Sequence, residues 1–458
     1  MYQPIKYETF ERTGDIYSLF YEKGVQLLKP KGILCYITSN KWMRANYGVS
    51  TRQFFAEKTH PLLLIDFGNV QVFETATVDT NILFLQNKPK ARKHETKHTF
   101  AVRFTKEFDL ANQSINDFIN QNGYYLTALN QNSWVVGERD IYNIKEEVEK
   151  QGLSINEWNC FNINRGIITG LNDAFVLEED TKNQILIKPM LRGKDISAWF
   201  PQFENLYVIC TFPSLKIDIE KYKGIKEHLL SFGKERLEQD GKGRKKTGNK
   251  WFETADQINF WQDFEKPKII FPNMTKYLPF VYDETGIYTN QKCFIITGKH
   301  LKYLTCFLNS KLFKYCFSDN FPELQGGTRE LSKVFFDKIP VKKITEEQEK
   351  PFSIIVDYLV ALKKANSQET SDQFMIIYFE QIANALVYEF YFKEEFEKAG
   401  LAVAKYMKGL PELIEMKNPL HQLRKVYVLL NHQQHAIRQA IFSMLSIPQI
   451  ELINNTSI

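Results

Sequence analysis

The sequence predicts an α/β fold at its start, a mixed α+β domain in its middle and a helical segment at its end. Short apolar runs alternate with amphipathic stretches at first, apolar runs bounded by turn residues follow, and a helical period takes over from residue 345. The 458 residues leave room for two or three domains. We expect an α/β layer at 1–110, a connector at 111–155, a mixed domain at 156–342 and a helical segment at 343–458.

Each element of the first layer has a local signal. Residues 15–29 place apolar side chains near one face of a helix. Residues 33–38 form a short apolar run, which suits a buried parallel strand. A helix with a break near Gly48 and two further strands follow, at 42–57, 62–67 and 78–85. Alternating strands and helices indicate a doubly wound sheet, and the few strands here resemble the second half of a larger one.

Later elements are predicted in the same way. Residues 100–120 predict a strand and a short helix, and 140–151 predict a charged helix within the connector. In the mixed domain the clearest strands are 207–210, 268–271 and 292–296. The helical segment covers 354–359, 374–392 and 419–445, and its aromatic and aliphatic stripe predicts a helix-packing seam.

Two neighbouring stretches, 162–175 and 187–196, predict a turn-rich basic surface. Gly166 and Gly170 require a sharp turn or a close approach to another surface. In the second stretch, basic residues around a proline and a glycine predict a rigid loop that faces phosphate. An ordinary strand–turn–strand with solvated charges is the alternative. The candidate DNA-binding residues are Arg165, Thr169, Lys188, Arg192 and Lys194.

A second basic segment lies at 241–250, where three glycines predict a loop. It is interpreted either as a disordered, solvated loop or as a mobile loop that orders on DNA. Its candidate contacts are Lys242, Arg244, Lys245 and Lys246, with Lys250 beside them. Arg329 follows Gly326 and Gly327, which predicts either an outward base-reading side chain or a plain flexible turn.

Composition excludes several classes of protein. Net charge is +5, so DNA binding requires the basic residues to cluster. Six cysteines without a CxxC spacing indicate reduced, mostly buried thiols. The pairs His94/His98 and His432/His435 lack further ligands, so we expect solvated histidines and no metal site. The chain has no signal-like start and no apolar run near the ~20 residues of a membrane span, which predicts a cytoplasmic protein.

The motifs that hold nucleotides or methyl donors are absent from this sequence. It contains no GxGxxG after a strand, no P-loop and no [DN]PP[YFW]. No Ser/His/Asp arrangement or acidic cluster stands out either. We therefore predict no catalytic, metal-binding or cofactor-binding residue in this chain alone.

Several stretches nevertheless resemble adenine-N6 DNA methyltransferases, and among them the fused Type IIG (Eco57I-like) restriction-modification enzymes. Residues 15–44 resemble the segment just downstream of the Asn-Pro-Pro-Tyr motif, and 65–83 continue the pattern. Residues 162–196 resemble the entrance of the TaqI-like target-recognition (specificity) domain. The same resemblance extends to later stretches: 251–253, 308–312, 331–341 and the closing helical part at 379–391.

The resemblance implies a partial methyltransferase sheet followed by a recognition domain. Complete family enzymes use S-adenosylmethionine, and Phe73 stands where they stack the flipped adenine; an edge core residue is the other interpretation of Phe73. The chain is expected to bind double-stranded DNA and to be inactive alone. The alternatives are one chain of a split methyltransferase, completed by a separate chain with the N-terminal half, and a protein-interaction module with vestigial DNA binding.

Overall fold

The computed structural model describes residues 7–68, 70–73, 78–88, 98–105, 108–126, 129, 134, 136, 139–178, 185–324 and 327–456. The chain forms two compact units, residues 1–147 with 319–322, and residues 148–318 with 323–458. The first division falls within a helix, Arg139–Gln151, and so differs from the predicted boundaries at 110 and 155. Among the described residues, no helix is long and apolar enough to cross a bilayer.

The first unit is built on a five-stranded sheet in the order β1-β3-β2-β4-β5. Its helices and strands in chain order are α1 (Tyr17–Leu27), β1 (Ile33–Ser39), α2 (Val49–Lys58), β2 (Thr59–Asp66), β3 (Thr80–Asn87), β4 (Thr99–Arg103), α3 (Ile115–Asn122) and β5 (Tyr124–Leu126). The helix Arg139–Gln151 is α4. The predicted α/β layer is confirmed, and β5 extends it into the expected connector.

Strand β1 differs from its prediction. It pairs antiparallel with β3, not parallel, and in the described part of the chain it has a strand partner on one side only. Its burial alternates: Leu34 and Tyr36 pack on a core with α1 and α2, whereas Ile33, Cys35 and Ile37 are exposed. An apolar run predicts burial on both faces, but it cannot tell which neighbour covers each face.

The second unit begins with short strands and helices that form two four-stranded sheets. Their orders are β14-β9-β10-β8 and β13-β11-β15-β7, and a core that includes Met190, Val208, Ile270 and Ile295 lies in this region. The elements are β6 (Gly152–Ser154), α5 (Ile155–Trp158), β7 (Phe161–Arg165), α6 (Asn172–Phe175), β8 (Val176–Leu177), β9 (Ile187–Leu191), β10 (Tyr207–Ile209), α7 (Lys223–Ser231), α8 (Lys234–Leu237), β11 (Lys268–Pro272), β12 (Met274–Thr275), β13 (Val281–Asp283), β14 (Tyr288–Thr289) and β15 (Cys293–Gly298).

The rest of the second unit is mainly helical, as predicted. Two small sheets, β12-β17-β16 and β18-β6, complete its strands. Helix α12 begins at a capping box, in which Thr345 and Gln348 satisfy each other's backbone amides. The elements are α9 (Leu301–Asn309), α10 (Lys311–Phe317), β16 (Glu323–Leu324), β17 (Thr328–Glu330), α11 (Lys333–Phe336), β18 (Pro340–Lys342), α12 (Glu346–Ala365), α13 (Thr370–Tyr391), α14 (Lys393–Lys398), α15 (Ala404–Met407), α16 (Pro419–Leu430), α17 (Ala436–Ser443) and α18 (Pro448–Asn455).

Candidate nucleic-acid interface

The chain turns after β7 at a place where only glycine fits. A Cβ on Gly166 would lie 2.0 Å from the carbonyl oxygen of Asn290, so the turns after β7 and β14 are in direct contact. Gly170 has a φ of +82°, which other residues rarely adopt. The prediction of close approach and sharp turning at these two glycines is confirmed.

Four turns of the second unit meet at Gln291 and Lys292. The Arg165 Nε donates to the Gln291 carbonyl at 3.0 Å, and the Asn273 amide donates to the Lys292 carbonyl at 2.8 Å. A Cβ on Gly193 would lie 3.1 Å from the same Lys292 oxygen. The turns after β7, β9, β11 and β14 are thereby held together, although β7 and β14 are more than 120 residues apart.

These turns and the loop at 241–250 carry exposed cations, which we call the basic rim: Arg165, Lys194, Lys245 and Lys292. Lys245 is included because its neighbour Arg244 donates to the Thr169 carbonyl at 2.9 Å, which joins the loop to the segment that follows β7. Lys292 was missed by the sequence analysis, since its position before a strand gave no sign that it lies beside Arg165.

Two predicted phosphate contacts are held by carboxylates, and a third, the exposed Lys194 of the rim, lies 3.6 Å from Glu204. Lys188 lies in strand β9, not in a loop, and its ammonium is 3.2 Å from Glu265. Arg192 makes a two-point contact with Asp195, at 3.0 Å from each oxygen, and a further ion pair with Glu204. The expected rigid basic loop is thus partly neutralised by Asp195 of the same stretch and by Glu204 and Glu265, which lie outside it.

Thr169 and Arg244 are buried in this structure, so their predicted DNA contacts gain no support from exposure. The Thr169 hydroxyl donates to the Asn172 side chain at 2.7 Å. Arg244 is only 4% exposed and packs on the Phe175 ring. Its guanidinium donates to the carbonyls of Leu237, Thr169, Glu253 and Trp251 at 2.7–2.9 Å. Its role in this structure is to hold loop backbone, and burial lowers its pKa to about 10.

The loop at 241–250 is held by several hydrogen bonds in this structure. Besides Arg244, the side-chain amide of Asn249 donates to the carbonyls of Thr254 and Ala255, each at 3.0 Å. Lys242 and Lys246 are exposed on it. These two lysines remain candidate contacts beside the rim.

Arg329 does not point outward as expected. Arg329 lies in β17. Its guanidinium donates to the Ser318 carbonyl at 2.9 Å and lies 3.7 Å from Glu323. Gly326, which was part of the prediction, is outside the described residues. Strand β12, the partner of β17, leads instead into a turn with Tyr277, which is 79% exposed. The residue after it, Leu278, has a φ of +48°, an unusual conformation for a bulky side chain. No motif or spacing in the sequence had indicated this tyrosine.

Phe73 is described and 44% exposed, so it is not the edge core residue that was the other interpretation. The segment before it is fixed at the end of β2 by Asp66, whose buried carboxylate accepts from Asn40 at 2.9 Å and from the Gly68 amide at 3.0 Å. Arg44 and Arg103 lie 3.6 and 3.9 Å from the same carboxylate. Residues 74–77 of the predicted pattern lie outside the described residues.

The described residues contain neither a cluster of metal ligands nor a disulfide bond. Over the residues that the structure describes, no group of three His, Cys, Asp or Glu side chains is placed to hold a metal ion. His94 lies outside that range. All six cysteines are free, and Cys210, Cys293, Cys306 and Cys316 are buried.

Comparison with known proteins gives two matches to family models. Residues 2–73 match the Eco57I restriction-modification methylase model, and residues 188–341 match the TaqI-like C-terminal specificity domain model. The second range contains most of the basic rim and all of the Tyr277 turn.

Individual relatives agree with these models. The Type II methyltransferase M.BstVI of Geobacillus stearothermophilus is 20% identical over 75% of this chain and 64% of its own length. The Type II restriction enzyme and methyltransferase RM.Eco57I of Escherichia coli is 29% identical over 38% of this chain and 17% of its own length. The chain thus spans less than two thirds of either relative.

Among solved structures, the Type IIL restriction-modification enzyme MmeI in complex with DNA overlaps with a TM-score of 0.47 at 10% identity, over 95% of this chain and 53% of that one. Residues 2–73 are thus similar to Eco57I-like restriction-modification methylases, and residues 188–341 are similar to the TaqI-like specificity domain.

Proposed function

We propose that this chain supplies the DNA-recognition part of a restriction-modification adenine-N6 methyltransferase. The observation that carries the proposal is the basic rim, whose exposed cations are gathered by hydrogen-bonded turns in and next to the specificity domain. Exposed lysine and arginine side chains neutralise phosphates and release counterions, which gives affinity that depends on salt but not on sequence. Base-edge contacts would come from other side chains of the same turns in the major groove.

The exposed tyrosine extends this surface. Tyr277 follows β12, and β12 begins one residue after Asn273, which is bonded to Lys292 of the rim. A flat aromatic side chain contributes most binding free energy when it stacks on bases or inserts between them. We therefore assign Tyr277 to base contact. Lys276 beside it is exposed and suits a phosphate.

Methyl transfer is proposed to require groups outside this sequence. S-adenosylmethionine and the adenine amino group would be held by the Gly-rich and Asn-Pro-Pro-Tyr motifs of complete enzymes, and Phe73 would stack the flipped base. Strand β1 is where such a half would attach, because one of its edges has no partner among the described strands and its exposed face carries Ile33 and Ile37. This edge supports the second candidate, a split methyltransferase whose N-terminal half is on a separate chain.

DNA binding tests the proposal through its salt dependence. The triple variant Lys194→Ala/Lys245→Ala/Lys292→Ala should bind duplex DNA more weakly and lower the slope of log affinity against log salt by up to about 2.7, at ~0.9 per phosphate contact. The matched control removes three exposed lysines of the helical segment, Lys350, Lys364 and Lys425, with the same change in net charge. Equal slopes for the two triple variants would contradict the assignment of the rim.

The other candidate is a protein-interaction module formed by the C-terminal helices. Exposed apolar side chains on α13, α16 and α17 favour it, notably Phe374, Val428 and Phe442. The two candidates differ in one measurement. An interaction module would bind DNA weakly, with a slope unaffected by the rim substitutions, and would retain a partner protein at high salt.

A further inference from the structure

A cavity of about 540 Å³ lies among the C-terminal helices, away from the residues assigned to DNA. Pro351 and Phe352 of α12 and Leu386 and Phe390 of α13 form apolar walls, and Ala404 of α15 lies opposite in the lining. Its volume falls within the range of pockets that hold small organic molecules, roughly 300–1,000 Å³. Apolar walls favour a ligand with a flat hydrophobic body.

Lys342 lines this cavity, and among the described residues its ammonium contacts only neutral hydrogen-bond acceptors. Its Nζ donates to the Gln151 side-chain oxygen at 2.7 Å and to the Phe390 carbonyl at 2.6 Å, both neutral acceptors, and it lies 4.8 Å from the centre of the Phe390 ring. Burial, and then the charge of Lys393, lower the pKa of Lys342. A half-buried cation that a second cation repels would be stabilised by an anion.

Most of the other charged residues that line the cavity are cations, like Lys342. Lys393, Lys405 and Lys408 also line the cavity, and Glu389 is the single acid among its described lining residues. The Glu389 carboxylate already accepts from the backbone amides of Val403 and Ala404, at 2.9 and 2.8 Å, and burial raises its pKa. Lys408 is held by Glu347 at 2.8 Å, and Lys393 lies 3.6 Å from Glu397 at an exposed position.

We propose that this cavity binds a small anion with a flat apolar body, its negative group between Lys342 and Lys393 and its ring against Phe352 and Phe390. Nucleoside monophosphates and aromatic sulfonates or carboxylates share this chemistry. Neither the basic rim nor the β1 edge takes part, so the site stands independently of the DNA-recognition proposal.

Calorimetry on the full chain without DNA tests the site with four probes. AMP and 8-anilinonaphthalene-1-sulfonate carry both an anion and a ring, adenosine carries the ring alone, and inorganic phosphate carries the anion alone. Binding of either of the first two, at least about tenfold tighter than adenosine and phosphate, is the expected result. The ratio of the affinities for AMP and for the sulfonate distinguishes a phosphate ligand from other aromatic anions. Phosphate as tight as AMP would refute the role of the apolar walls.

Two variants on helix α14 test whether the probe binds in the cavity. Lys393→Gln should weaken the tighter probe by about tenfold, the effect of one charge-assisted contact. Lys398→Gln is the control, since this exposed lysine pairs with Glu394 and does not line the cavity. Ala404→Phe should abolish binding by filling the space, and a melting curve verifies that the variant is folded. If no probe binds at millimolar concentration, or if the two lysine variants behave alike, the proposal fails.

Discussion

Arg244 is expected to stabilise the protein and not to contact DNA, and Arg244→Ala tests this directly. The substitution removes four hydrogen bonds to backbone carbonyls and the contact with the Phe175 ring. Hydrogen bonds that involve a charged group contribute about 1.5–3 kcal/mol each, but the bonds of one guanidinium are not additive. Loss of the shared donor leaves buried carbonyls unsatisfied, which costs about 1–3 kcal/mol for a neutral group. We expect a loss of this size from the free energy of unfolding.

The measurement is urea unfolding followed by tryptophan fluorescence, combined with hydrogen exchange over residues 237–255. Exchange should accelerate in this segment because its carbonyl acceptors lose their common donor. Lys245→Ala is the matched control: it removes the neighbouring charge from an exposed position and should change stability by less than about 0.5 kcal/mol. The reasoning is refuted if Arg244→Ala keeps wild-type stability and exchange but loses DNA affinity, because the arginine would then act on DNA.

Three further outcomes are expected. Tyr277→Ala should weaken duplex binding by about 1–2 kcal/mol, whereas Ile414→Ala, which truncates an equally exposed side chain of the helical segment, should leave titrations unchanged. Hydrogen bonds from Arg424 lower the pKa of Asp372. The contribution of this ion pair to the free energy of unfolding is therefore complete above the ordinary pKa of 3.8 and is lost as pH falls toward the lowered pKa. Asp372→Asn should cost about 1 kcal/mol at neutral pH and flatten the acid limb of a stability–pH curve. Cys35, exposed on β1, should react with a maleimide faster than Cys210 or Cys306, and a chain that carries the N-terminal methyltransferase half should protect it; unchanged labelling in an active mixture would argue against docking at β1.

Strand β1 and residue Arg244 illustrate where sequence reasoning stopped. The apolar run of β1 identified a strand, but its partner β3 lies more than 40 residues later, and no local pattern encodes pairing direction. Arg244 sits among lysines in a glycine-rich loop, which indicates an exposed cation. Its acceptor Thr169 is 75 residues earlier in the chain, so its burial depends on contacts that the loop sequence does not contain.

The sequence by itself determined the kinds of elements, the turns at Gly166 and Gly170, and the resemblance that the two family models bear out. These features depend on side-chain periodicity, on the conformational range of glycine and on short motifs, all of which are local. Only the tertiary structure decided which cations face solvent. It brought Lys292 to Arg165, gave Lys188 and Arg192 their carboxylates and left Tyr277 exposed. The physical reason is that a charge is free or neutralised according to its neighbours in space; Asp195 is local to Arg192, but Glu265 reaches Lys188 from 77 residues away.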